Sequence, residues 1–91
     1  MLYVIAYDIV DDARRVKVAE VLKDFGRRVQ YSVFEALLDA ELLGRLRARV
    51  RDEIDEEEDS VRIYRLCGEC ERVVEIMGQG GRTMEEKVYI V

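Results

Sequence analysis

The chain opens Met1-Leu2-Tyr3-Val4-Ile5-Ala6-Tyr7-Asp8-Ile9-Val10, an apolar run broken only by Asp8. It is rich in β-branched and aromatic residues and too short for a lone helix, which predicts a central strand buried on both faces. The period then changes. Asp11 and Asp12 offer N-caps, Val18, Val21, Leu22 and Phe25 recur at helical spacing, and Gly26 stands where a C-cap glycine belongs. An amphipathic helix over about 13–25 follows.

Residues 28–38 read as extended, with the alternation broken near Tyr31 and Ser32. They form either one kinked strand or two short strands at a tight turn. Asp39 can cap a second helix whose face is Leu43, Leu46, Val50 and Ile54, with Glu41 well placed in its first turn. Residues 60–67 alternate, Val61, Ile63 and Cys67 against Tyr64 and Leu66. The short apolar run 72–77 reads as a further strand, Gly78, Gly80 and Gly81 as a flexible turn, and 87–91 as a last strand. The order predicts an α+β fold: a ferredoxin-like β-α-β-β-α-β sandwich with an extra C-terminal strand, one domain over 1–91. An exposed apolar last strand is an aggregation hazard. A second protomer would cover it, so a homodimer is expected, with the turn and strand of 78–91 at its interface.

Composition narrows the chemistry. The chain has 91 residues, 49% apolar and 38% charged, which suits a folded domain of small size. Its longest apolar runs fall far short of the ~20 residues a membrane span needs. No leader pattern is read at the start, and two cysteines without a secretory context point to the cytoplasm. With no His, Ser–His and Cys–His catalysis and His-ligated zinc are excluded within one chain. The net charge of −5 argues against nucleic acid at first sight. Seven acids, however, lie in 52–59; outside that run 15 basic residues face 13 acidic ones.

Asp8 is the sharpest feature. A carboxylate after a buried strand can cap local amides, or hold a divalent cation; Mg²⁺ takes hard oxygens and keeps several waters, so one or two carboxylates suffice. Arg14, Arg15 and Lys17 open the first helix, where cations are disfavoured, which points to an anion beside Asp8. Either Tyr31 and Phe34 pack at a sheet edge, or Ser32 and Phe34 face a substrate groove. Cys67-Gly68-Glu69-Cys70 is a lone C-x-x-C, a weak zinc signal without a second pair. The run 52–59 reads as a solvated helix end and loop.

Together, Tyr7-Asp8-Ile9, Asp11-Asp12, Arg14-Arg15 and Gln30-Tyr31-Ser32-Val33-Phe34-Glu35 resemble the CRISPR-associated protein 2 family. The match is strong over about residues 1–39, and the strand Ser60 to Leu66 agrees with it. The resemblance implies a small dimeric ferredoxin-fold protein with metal-dependent endonuclease activity on single-stranded RNA or double-stranded DNA, and a part in spacer acquisition for antiviral defence. The alternative is a non-catalytic DNA-binding scaffold that bridges dimers of the adaptation integrase. The resemblance also implies Asp8 as the metal ligand, shared by both protomers around one Mg²⁺ at the two-fold axis, with Tyr7, Arg15, Arg28 and Phe34 at catalytic positions. Arg14, Arg15, Lys17, Arg28 and Ser32 are then the expected nucleic-acid contacts. At position 17 Lys replaces an Arg, which keeps the charge but not the bidentate fork. Nothing in the family pattern accounts for the acidic run or for Cys67 and Cys70. A small-molecule regulatory module on the same fold leaves Asp8 and the arginines unexplained, and an RNA-recognition motif lacks its aromatic sheet signature.

Overall fold

The structure, a computed structural model, describes residues 1–81 and 83. Seven elements follow one another: β1 (Leu2–Asp8), α1 (Asp12–Lys23), β2 (Arg27–Gln30), β3 (Val33–Leu37), α2 (Ala40–Glu53), β4 (Ser60–Leu66) and α3 (Gly68–Arg72). The antiparallel sheet runs β2-β3-β1-β4, so the first strand lies inside it, as the opening run predicts. Ile5 sits between Phe34 and Ile63 in register. No helix among the described residues is long and apolar enough to cross a membrane.

Alternation along β1 divides its side chains between two faces. Tyr3, Ile5 and Tyr7 join the core with Val18, Leu22, Phe34, Leu43, Leu46 and Val50. Val4 and Ala6, on the other face, are only half-buried and Asp8 is exposed. The expectation of burial on both faces is thus corrected: α1 and α2 pack against one face only. Both helices start as predicted. Asp11 accepts the Arg14 N–H at 2.9 Å and Asp39 accepts the Leu42 N–H at 2.8 Å. Helix against helix, Arg49 pairs with Asp24 at 2.9 Å and lies over the Phe25 ring.

Gly26 has a different role from the expected C-cap, which Asp24 fills. A Cβ at Gly26 would overlap the Glu35 carbonyl oxygen and press on Ala36. Glycine here lets the backbone leave α1 and lie directly against β3. The extended stretch resolves into two strands, joined at Tyr31 and Ser32, with a register shift between Arg28 and Gln30.

The expected strand over 72–77 is not formed. Cys67 leaves the ladder and caps α3, its carbonyl accepting the Glu71 N–H at 2.9 Å, and Val73 and Met77 are exposed beyond it. Cys67 therefore does not share the inner row of β4 with Val61 and Ile63, which pack on the core. The predicted strand 87–91 lies outside the described residues.

Candidate metal and nucleic-acid site

The chemistry collects where β1 ends and α1 begins. Asp8 is the last residue of β1, opposite Ser60 of β4, on the face the helices leave open. Among the described residues nothing pairs with its carboxylate. Beside it, Arg15 folds back over the turn. Its Nε donates to the Ile9 carbonyl at 3.3 Å and its guanidinium pairs with Asp12 at 2.6 Å. Lys17 is exposed and forms no ion pair among the described residues.

Arg14 is engaged elsewhere. It makes a forked contact with Asp59, Nε at 2.9 Å and a terminal nitrogen at 3.2 Å, and pairs with Glu58 at 3.1 Å. The Asp59 side chain has no exposed surface. Its oxygens also accept the Val10 N–H at 3.2 Å and the Asp55 N–H at 2.9 Å. Arg14 first and these amides next hold its carboxyl at about 2, below the ordinary 3.8. The same pair raises the Arg14 guanidinium further. This corrects two expectations. Arg14 is not a wholly free phosphate contact, because its Nε and one terminal nitrogen are committed to Asp59 and Glu58. The acidic run is not simply a solvated loop, because its last two residues fold onto the first helix.

Asp59 is the residue that sequence reasoning missed. Its signal was present as two arginines at the wrong end of a helix, which called for an anion. That anion is internal: Asp59 for Arg14 and Asp12 for Arg15.

Tyr7 and Phe34 lie in the core, with ring centroids 6.3 Å apart. They are not on the surface beside Asp8. Tyr7 donates its hydroxyl to the Tyr31 carbonyl at 3.4 Å, and its N–H goes to the Ser32 carbonyl at 3.0 Å. Phe34 is fully buried and carries Arg28, whose guanidinium carbon stands 5.3 Å from the ring centroid. Arg28 pairs with Phe34 across β2–β3, so its side chain leaves the sheet on the helix side, opposite to Asp8. Ser32 is half-buried in the β2–β3 turn. The arrangement thus sets Asp8 at the end of β1 and Arg15 over the turn that follows it, leaves Lys17 exposed on α1, and holds Arg28 on the Phe34 ring. Among the described residues no three acidic or thiol side chains stand close enough to hold a metal ion.

A family model described as CRISPR associated protein Cas2 matches residues 1–74. The chain belongs to the Cas2 family. It is 52% identical over 79 residues to a Thermus thermophilus protein named CRISPR-associated endonuclease Cas2 2, across 87% of this chain and 83% of that one. It is 50% identical over 78 residues to a Synechocystis protein named CRISPR-associated endoribonuclease Cas2 3, across 86% and 85%. Among solved structures, Streptococcus pyogenes Cas2 superposes with a TM-score of 0.75 at 34% identity, over 86% of this chain and all of that one. A Thermus thermophilus protein solved as hypothetical superposes at 0.80 with 49% identity, over 91% and 96%. The Cas2 fold is therefore shared with these relatives in both sequence and structure.

Proposed function

We propose that this Cas2-family chain is a metal-dependent endonuclease that hydrolyses phosphodiester bonds in single-stranded RNA or double-stranded DNA, takes part in spacer acquisition, and works as a homodimer. The observation that carries this is Asp8: an exposed carboxylate, unpaired among the described residues, at a strand end on the sheet face that the helices leave open. The relatives named as endonucleases and endoribonucleases support the same activity.

The donor chemistry suits Mg²⁺, a hard cation that binds through few carboxylates. Among the described residues one chain offers a single such carboxylate, so the site in this reading is completed by Asp8 of a second copy. The open sheet face supports that partner. Val4 and Ala6 are half-buried there, Tyr64 is half-exposed in register with Val4, and Asp8 ends the same row.

A Mg²⁺ held by the two Asp8 carboxylates would supply polarisation of the scissile phosphate and a more acidic bound water. The chain's own residues do the rest. The two Asp8 carboxylates set the ion's position. Arg15, tied to Ile9 and Asp12, holds the turn after Asp8 and presents charge beside it. Lys17 and Arg28 hold the nucleic-acid backbone, Arg28 steadied by Phe34. The basic residues outside 52–59 also suit docking to an adaptation integrase in complex with DNA.

Cleavage of labelled single-stranded RNA and duplex DNA, with Mg²⁺ and with excess chelator, tests the reading. Mg²⁺-supported cleavage that stops with chelator is expected. Duplex binding with no cleavage of either substrate would favour the non-catalytic scaffold.

Arg14 and Arg28 should separate in a binding titration. Arg28→Ala is expected to weaken duplex binding and flatten its salt dependence by about one unit of slope. Arg14→Ala should leave the slope unchanged and lower the melting temperature instead.

A further inference from the structure

Helix α3 starts from a thiol. The Sγ of Cys67, at its N-cap, accepts the Cys70 backbone N–H at 3.5 Å. Both thiols are free and exposed, and α3 buries no residue, so packing does not account for them. They also lie away from the candidate active site. The register sets Leu2 opposite Leu66 and Asp8 opposite Ser60, which puts Cys67 past the far end of the sheet, about 20 Å from Asp8 along the strand.

We propose that Cys67 and Cys70 form a redox-active dithiol that closes to an intrachain disulfide by exchange with a low-molecular-weight disulfide such as oxidised glutathione. Cα atoms three residues apart in a helical turn lie about 5 Å from each other, within the Cα–Cα span a disulfide bridges, about 4.4–6.8 Å. The two sulfurs are not equivalent. The Cys70 N–H, and then the Cys70 thiol, favour the Cys67 thiolate and lower its pKa, while donating that thiol raises the pKa of Cys70. Glu69 and Glu71, in the same turn, add negative charge that these donors must overcome.

Cys67 is therefore the attacking sulfur. Its thiolate breaks the glutathione S–S bond, forms a mixed disulfide and releases one glutathione thiolate, which takes up a proton. The Cys70 sulfur, on losing its proton, attacks Cys67, forms the Cys67–Cys70 bond and releases the second glutathione. The two protein thiols lose two electrons and two protons, and both reappear in two molecules of reduced glutathione.

The test equilibrates the full chain in glutathione buffers of rising oxidised fraction, quenches with an alkylating reagent and reads intact mass and a non-reducing gel. Wild type is expected to pass from a doubly alkylated form to an unalkylated one lighter by two hydrogens than the dithiol, without crosslinked dimer. Cys70→Ser should accumulate a glutathione adduct at Cys67, and Cys67→Ser should form one several-fold more slowly. Adducts that build up on both cysteines of wild type without closing, crosslinks only between chains, or equal rates in the two variants would overturn the proposal.

Discussion

Asp8→Ala is expected to lower Mg²⁺-dependent cleavage by at least about 100-fold, with a melting temperature close to that of wild type. Loss of groups that merely orient a metal's ligands costs about 10–100-fold, so loss of a ligand itself belongs at or above the top of that range. Folding does not depend on Asp8: it is exposed, at a strand end, and engages no partner among the described residues. Asp8→Asn should behave alike, because it keeps the shape but not the charge the ion needs. Without metal, the two Asp8 carboxylates of the proposed dimer would repel. The Asn dimer should then dissociate less readily than wild type in chelator. The checks are initial cleavage rates against Mg²⁺ concentration, thermal melts, and sedimentation with and without metal.

Asp59→Asn is expected to have the largest effect on stability, a fall in melting temperature on the order of 15 °C. The side chain has no exposed surface and serves four donors: two on Arg14 and the N–H groups of Val10 and Asp55. Removing its charge leaves the Arg14 guanidinium without its main partner and loosens the turn that follows Asp8. A pH signature separates this from a general packing loss. The folded carboxyl titrates at about 2 and the ordinary one at 3.8. Its contribution is complete above the higher value and is lost as pH falls towards the lower one. Melting curves of wild type and Asp59→Asn should therefore differ most near neutrality and draw together between about pH 4 and 2. A constant gap across that window would assign the loss to packing.

Much of this fold is legible from period and punctuation. The order of strands and helices, the caps Asp11 and Asp39, and the inner faces of both helices follow from local patterns that tertiary packing then reinforces. The errors lie where a local pattern had a non-local cause. Gly26 carries the composition of a cap, but its reason is the carbonyl of Glu35, nine residues on and across a strand. The run 72–77 is apolar, yet the capping thiol of Cys67 starts a helical turn before it.

The candidate site shows the same division. Asp8 is visible because a lone charge ends an apolar strand. Asp59 is hidden in a run of acids, since only the fold decides which acid in it meets Arg14, 45 residues away. Tyr7 and Phe34 read as site residues by resemblance, and the structure gives them an indirect place, beneath Arg28 and the 31–32 turn.

The stoichiometry of metal binding tests the central claim most directly. Calorimetric titration of the dimer with Mg²⁺ or Mn²⁺ should give one ion for every two chains, and none at that site in Asp8→Ala. One ion per chain, or unchanged binding in Asp8→Ala, would contradict a cation shared by two Asp8 carboxylates.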